Sequence, residues 1–260
     1  MTISNVFAFD IETVPDVEFG RRFYGLEGLT EKQIGYVMQT RQREQTGSDF
    51  LSLEQHRIVA ISVALHTRDG FRVWSLGELD SPEDELVRRF YDGLERFSPT
   101  LVSWNGSGFD LPVLNYRAMR HRIQAHRYWE MGDEDPAFKW NNYISRFHWR
   151  HIDLMDVLSG FQGRSRVGLD HMAQLLGLPG KLGMSGQGVW EAHLAGQTEG
   201  IRNYCETDVV NTYLIYLRFE LMRGHLTHDE HGRECGRVRE WLAASGKPHL
   251  LEFERAWPAA

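Results

Sequence analysis

Two acidic residues lie in a segment that otherwise has the composition of a buried β-strand. Asp10 and Glu12 belong to the run NVFAFDIETVPD at residues 5–16, which is rich in Val, Phe, Ala and Ile. Side chains alternate between the two faces of a strand, so both acids point to one face, with Cα atoms roughly 6–7 Å apart, and the aromatic residues point to the other. Crowded carboxylates raise each other's pKa, and a hard cation such as Mg²⁺ or Mn²⁺ removes that conflict. The alternative is a strand face on which both acids are solvated.

Two further segments carry acids in positions suited to the same chemistry. In SWNGSGFDLPVL (103–114) a short apolar strand runs into a glycine-rich turn, and Asp110 opens a helix, where its negative charge is favoured. In NYCETDVVNTYLIYL (203–217) Tyr204 and Asp208 are i,i+4 neighbours beside an apolar helical stripe. An acid beside a buried face needs a partner. A helix cap explains Asp110 equally well, and an arginine such as Arg202 could pair with Asp208.

The elements that must position these residues follow a mixed α/β order. The pattern predicts strands at 5–12, 57–67, 70–77 and 100–104, with a hairpin at Asp69-Gly70. It predicts helices at 30–45, from Ser81 as cap and Pro82 as first helical residue, and at 109–123, 168–177, 188–196, 198–222 and 233–244. Such an order predicts a mixed sheet with helices on its faces. We expect one domain over 1–222 and a C-terminal helical extension, 223–260, packed on it.

Composition limits the kind of protein. The chain has 260 residues and a formal net charge of −7, which argues against a large non-specific nucleic-acid footprint but not against an enzyme that grips a few nucleotides. No apolar run reaches eighteen residues, and no secretory signal is evident, so we expect no membrane contact. Cys205 and Cys235 form no CxxC pattern. Reduced thiols in a cytoplasmic protein are the expectation.

Together the segments FAFDIET, NGSGFDLPVL and YCETD resemble the three motifs of the DEDD (DnaQ-like) 3′–5′ exonuclease superfamily. Their order and spacing match over residues 7–217, and the nearest likeness is to the predicted exonucleases related to the proofreading domain of family B DNA polymerases. The third motif, Tyr-x-x-x-Asp, is that of the tyrosine subtype. The resemblance implies an RNase H-like α/β fold, with a mixed five-stranded sheet flanked by helices.

The resemblance also implies a site. Four acids would hold two divalent ions, Mg²⁺ or Mn²⁺, and a tyrosine would orient the attacking water; the catalytic set is Asp10, Glu12, Asp110, Tyr204 and Asp208. Thr13, Asn105 and Phe109, next to these motifs, are the candidate substrate-binding residues. The implied activity is hydrolysis at the 3′ end of single-stranded nucleic acid, DNA favoured over RNA, releasing nucleoside 5′-monophosphates. The alternatives are an exoribonuclease of the same fold and a catalytically silent binding module among replication or repair proteins.

Four other features have more than one interpretation. His148 and Asp153 fit the His-x₄-Asp motif of the histidine subtype, but they do not lie on a late helix, so we prefer Tyr204 and Asp208; Asp153 and Asp156 can still lie near the site. The segment 128–150 mixes aromatic and basic residues, which suits single-stranded nucleic acid or a core under a long loop; its members are Trp129, Lys139, Trp140, Tyr143, Arg146, Phe147, Trp149 and Arg150.

Arg117, Arg120, Arg122 and Arg127 could contact phosphates or cover a solvated helix face. The glycine-rich loop 180–190 contains Lys181 but lacks P-loop spacing, so it predicts only a flexible loop near the substrate.

Overall fold

The computed structural model describes residues 5–183 and 185–258, and within these ranges five strands form one mixed sheet. The strand order is β3-β2-β1-β4-β5. The strands β1 and β2 are antiparallel, as are β2 and β3, whereas β4 is parallel to both β1 and β5. The bounds are β1 Val6–Pro15, β2 His56–Thr67, β3 Gly70–Ser75, β4 Thr100–Ser103 and β5 His151–Asp153. The expected five-stranded mixed sheet is confirmed.

Helices cover both faces of this sheet. Those up to the fifth strand are α1 Val17–Tyr24, α2 Glu31–Thr46, α3 Glu83–Phe97, α4 Asp110–His121 and α5 His126–Trp129. Those after it are α6 Leu154–Leu158, α7 Leu169–Leu175, α8 Val189–Leu194, α9 Thr198–Met222, α10 His228–Ala244 and α11 Pro248–Ala256. No helix in the described part of the chain is both long enough and apolar enough to cross a membrane.

The central strand β1 divides the core by its period of two. Phe7 and Phe9 pack against Phe90 of α3, with ring centroids 5.9 and 5.0 Å apart. Val6 and Ala8 point to the opposite face and share a buried cluster with apolar residues of α9. The register with β2 shifts between Glu12 and Thr13. Asp10 and Glu12 are still in the regular ladder, opposite Ser62 and Ala60, and the bulge redirects the strand at Thr13, directly after them.

Most predicted elements are present, with shifted ends. The hairpin is confirmed, and Gly70 there has a φ of 129°. The predicted start of α3 was wrong by one residue, since Pro82 is the N-cap and the Ser81 hydroxyl instead accepts a hydrogen bond from the Glu78 amide. The helix predicted at 233–244 begins at His228, because Thr227 forms a capping box there.

The last two helices pack on the rest of the protein. Val238 and Leu242 of α10 and Leu250 and Phe253 of α11 belong to the same buried cluster as the β1 residues that face α9. Helix α11 was not expected from the sequence. The division of the chain at residue 222 stays a prediction.

Candidate active site

Three elements bring the acidic residues together at one edge of the sheet. The strand β1 carries Asp10 and Glu12, α4 begins with Asp110, and α9 crosses β1 with Asp208 on the side that faces it. Because β4 runs parallel to β1, the chain leaves β4 beside the acidic end of β1, and α4 starts there. The Asp110 Oδ1 atom accepts a hydrogen bond of 3.2 Å from the Ile11 amide, which lies between the two β1 acids.

The loop before α4 is fixed by a residue of the histidine-type motif. The Asp153 carboxylate accepts hydrogen bonds from the Asn105 and Ser107 amides, at 3.0 and 2.8 Å. Asn105 itself has a φ of 66°, which its short polar side chain tolerates. His148 accepts a hydrogen bond from the Asn142 amide, within the 128–150 segment. Thus Asp153 supports the turn that presents Asp110, and the structure joins His148 to the neighbouring segment.

Burial makes the acid cluster electrostatically unfavourable without cations. Glu12, Asp110 and Asp208 are buried and Asp10 is partly buried. Burial and the neighbouring carboxylates raise the pKa of Asp10 and of Glu12 well above their usual values. Burial raises the pKa of Asp110 to about 7 and also raises that of Asp208. Carboxylates in such surroundings need positive partners.

The donor atoms fit a divalent cation. Oxygen atoms of Asp10 and Glu12 and the Cys205 sulfur lie within 4.8 Å of one another. The Cys205 thiol donates to the Asp10 main-chain carbonyl and to its Oδ2 atom, and burial raises the pKa of this thiol, so it stays protonated. The Asp208 Oδ1 atom is buried without a hydrogen-bond partner among the described residues. The available ligands are therefore carboxylate oxygens, which Mg²⁺ and Mn²⁺ prefer.

Lys181 belongs to this site, although the sequence placed only its loop near the substrate and gave the lysine no role. Its ammonium lies 2.5 Å from the Tyr204 hydroxyl oxygen and 3.6 Å from Asp208 Oδ2. The Lys181 amide donates to Asp170, and the Asn211 side chain bonds the preceding residue, so the loop is held at this position. The only sequence signal was a lysine in a glycine-rich loop between two helices.

The structure does not pair Asp208 with Arg202, which was the alternative considered from the sequence. Arg202 donates to the main-chain carbonyls of Ser75 and Gly77, at 3.2 and 2.7 Å. The cation beside Asp208 is Lys181. The acid therefore faces the cluster and not the arginine of its own helix.

Residues 48–257 match the model of a protein family described as "Predicted 3'-5' exonuclease related to the exonuclease domain of PolB". The chain belongs to this family. The match includes Asp110, Lys181 and the Tyr204–Asp208 pair, and it begins after Asp10 and Glu12. The family and the fold that the motifs implied are both confirmed. A comparison with curated proteins gives no match.

Two cavities flank the acids of this predicted exonuclease. The larger, about 600 Å³, is lined by Glu12, Thr13 and Phe109, and also by Phe50, His56 and Trp190. There the Thr13 hydroxyl and His56 Nδ1 are 2.8 Å apart. The second, about 370 Å³, is lined by Asp10, Asn105, Lys181 and Asp208. Two candidate substrate-binding residues thus line the first cavity, and Asn105 lines the second.

The aromatic segment 128–150 divides between core and surface. Tyr143 is buried, whereas four other aromatic residues are exposed: Trp129, Trp140, Phe147 and Trp149. Neither a surface for single-stranded nucleic acid nor a buried core under a long loop therefore accounts for the whole segment. A buried core explains Tyr143, and a surface with aromatic side chains remains beside it.

Arg117 was expected to contact a phosphate or to lie on a solvated helix face, and it does neither. It is almost fully buried and forms ion pairs with Asp16 and Glu83, because α4 packs against the start of α3 and the end of β1. Arg127 is also paired, with Asp135 and Glu95. Arg120 and Arg122 are exposed. For Arg117 the prediction of a phosphate contact or a solvated face was wrong.

Proposed function

We propose that this protein is a 3′–5′ exonuclease that hydrolyses single-stranded DNA by a two-metal mechanism and releases nucleoside 5′-monophosphates. The observation that carries the proposal is the convergence of buried carboxylates from three elements, with an Asp208 oxygen that no described protein group satisfies. Membership of a predicted exonuclease family supports the same reaction.

The four acids are the proposed metal ligands. Asp10, Glu12, Asp110 and Asp208 would hold two Mg²⁺ or Mn²⁺ ions. Bound ions supply a water of lowered pKa and stabilise charge on the leaving 3′ oxygen. The chain itself then has to position the water and the strand.

Tyr204 is proposed to orient the attacking water, as in the tyrosine subtype. Its hydroxyl oxygen accepts a hydrogen bond from Lys181, so the hydroxyl proton can be donated, and Asp208 is the neighbouring protein acceptor. Burial and the neighbouring Asp208 raise the pKa of Tyr204, which keeps this hydroxyl protonated. Lys181 therefore acts as a positioning residue for the tyrosine.

The cavity of about 600 Å³ beside Glu12 has the volume of a typical small-ligand pocket. We assign it to the 3′-terminal nucleoside, with Phe109 as the stacking surface and Thr13 as a polar contact. Asn105, in the second cavity, would contact the preceding nucleotide. DNA is favoured because the motifs resemble a DNA polymerase proofreading domain, and an exoribonuclease is the competing substrate class.

The cell compartment and partners are also part of the proposal. Both cysteines are free thiols in the portion of the chain that the structure describes. This supports a cytoplasmic location. Replication or repair proteins are the proposed partners, on the resemblance alone.

The test uses 5′-labelled single-stranded DNA and RNA oligomers with Mg²⁺ or Mn²⁺, with and without EDTA. We expect a one-nucleotide ladder with DNA, none in EDTA, and none with Asp10→Asn or Asp208→Asn. The matched control is Asp69→Asn in the exposed β2–β3 turn, which should digest DNA as the wild type does. Digestion by Asp208→Asn at the wild-type rate would contradict the assignment. A wild-type protein that binds but cuts neither oligomer would favour the silent binding module.

A further inference from the structure

Two arginines share one buried acid near the loop that presents Asp110. Arg146 and Arg166 lie 3.0 and 2.6 Å from the two carboxylate oxygens of Asp156. The Asp156 side chain is only 3% exposed, whereas those of Arg146 and Arg166 are 44% and 35% exposed. The buried acid holds both guanidinium groups at the surface, and two positive charges face one negative charge.

The surrounding sequence is basic although the chain is acidic. Residues 139–168 contain five lysines and arginines and two acids, Asp153 and Asp156, in a chain of net charge −7. Both acids are buried and bonded, Asp153 to loop amides and Asp156 to the arginines. The surface of this segment therefore attracts anions.

The cavity with the arginine pair and the cavity with the acids are lined by neighbouring residues of the same three chain segments. A cavity of about 400 Å³ is lined by Arg146, Asp156 and Arg166 and by Ser107 and Gly108 of the loop before α4. The cavity that contains Asp10 and Asp208 is lined by Asn105, Met155 and Gly168. The two cavities thus share three chain segments: 104–108, 155–156 and 166–168.

Aromatic surface accompanies the arginines. Phe147 is 72% exposed and contacts Phe161 edge to face, with ring centroids 5.2 Å apart. The Arg146 guanidinium lies 5.0 Å from the Phe161 ring centroid. Guanidinium groups bind phosphates through paired hydrogen bonds, and exposed rings stack on unpaired bases.

We propose that Arg146 and Arg166 bind the phosphodiester backbone of the single strand upstream of its 3′ end, and that Phe147 stacks on a base there. This inference rests on the proposed function, because the neighbouring cavity contains the proposed metal ligands Asp10 and Asp208. An acidic peptide would meet the same charges, but it would not explain the position of the arginines beside the cavity of the acid cluster or the neighbouring rings.

The test compares a trinucleotide with a dodecanucleotide of single-stranded DNA, bound in EDTA and followed by fluorescence anisotropy. Arg146→Gln and Arg166→Gln each leave Asp156 paired with the other arginine, so the fold is retained. We expect about tenfold weaker binding of the dodecanucleotide, the size of one charge-assisted hydrogen bond, and unchanged binding of the trinucleotide. The dependence of log K on log salt should fall by about 0.7 for each phosphate that the variant no longer binds. Arg146→Lys should recover part of the affinity.

The control is Arg88→Gln, an exposed arginine paired with Asp84 on α3, which should bind both oligomers as the wild type does. If the wild type digests DNA but both glutamine variants keep its preference for the longer strand, this inference is wrong and the proposed function stands. If binding depends on the arginines but no digestion occurs with Mg²⁺ or Mn²⁺, the proposed function fails and the binding surface stands.

Discussion

Arg117 connects the elements that carry the proposed metal ligands. Its guanidinium donates to Asp16, directly after β1, at 2.6 Å and to Glu83, the first residue of α3, at 2.7 Å through Nε. Glu83 also accepts a hydrogen bond from the Ile58 amide of β2. Arg117 lies on α4, whose first residue is Asp110, so the network fixes α4 against β1. We predict that Arg117→Met lowers both stability and the rate of hydrolysis.

The magnitude follows from burial. Arg117→Met removes the cation from Asp16 and leaves Glu83 with His121 as its remaining ion-pair partner, and the side chains of these two acids are only 2% and 9% exposed. Removal of one partner from a buried ion pair costs about 3–5 kcal/mol. The two pairs share one arginine, so their contributions do not add. Because the free energy of unfolding of a protein domain is about 5–15 kcal/mol, the variant should keep a reduced but measurable stability.

The pH dependence has a definite sign. Burial raises the pKa of Asp16, but the Phe19 amide and Arg117 outweigh it and hold this pKa below its ordinary value of 3.8. The wild-type pair therefore stabilises the fold above pH 3.8, and this stability is lost as pH falls through the lowered folded-state pKa. Without Arg117, burial is opposed only by the Phe19 amide and Arg120, so we expect the pKa of Asp16 to rise. As pH falls, Asp16 is then protonated in the variant before it is protonated in the wild type. The loss of unfolding free energy caused by Arg117→Met should therefore become smaller as pH falls toward the ordinary carboxyl range.

The measurement is urea unfolding in EDTA, followed by circular dichroism at neutral pH and at about pH 4.5, just above the carboxyl range. The control is Arg120→Met, exposed on the same helix, which should change the free energy of unfolding by less than about 0.5 kcal/mol. A decrease in the free energy of unfolding below about 1 kcal/mol for Arg117→Met at neutral pH would contradict a buried ion-pair network at Arg117, since that is the range of surface pairs. A loss of unfolding free energy that becomes larger at the lower pH would contradict it as well.

Three further predictions follow from the site and its support. Lys181→Met should slow hydrolysis and tighten Mn²⁺ binding in calorimetry severalfold, because the ammonium beside Asp208 competes with cations; unchanged Mn²⁺ affinity would contradict this. Chelation should lower the thermal midpoint of the wild type but not of Asp208→Asn, as measured by calorimetry, and equal shifts would remove Asp208 from the ligand set. Lys247→Met should lower the free energy of unfolding by about 2 kcal/mol, since Lys247 bonds the buried Glu206 of α9; urea unfolding checks this against the exposed Lys32→Met.

The sequence predicted those parts of the fold and site that depend on local geometry. The period of two placed Asp10 and Glu12 on one strand face and the phenylalanines on the other, and the structure has this arrangement. Helical spacing placed Tyr204 and Asp208 together on a late helix. Such relations follow from backbone geometry alone, so one sequence is sufficient to find them.

Contacts between distant segments could not be predicted in this way. Lys181 is 23 residues from Tyr204, and Arg117 is 101 residues from Asp16. No local pattern distinguishes a buried arginine with two partners from a solvated one on the same helix. The start of a helix is similarly undetermined when another contact removes the expected cap, as at Ser81, whose hydroxyl accepts from the Glu78 amide while Pro82 becomes the N-cap.

The acid cluster and the Arg117 network have opposite effects on stability, which allows their roles to be separated. Without ions, the cluster holds buried carboxylates that repel one another, so it destabilises the fold. Asp10→Asn removes one of these charges and should therefore make the protein more stable in EDTA while abolishing hydrolysis. Arg117→Met should reduce stability and hydrolysis together. If Asp10→Asn were instead less stable in EDTA than the wild type, its loss of activity would be no evidence for metal binding by Asp10.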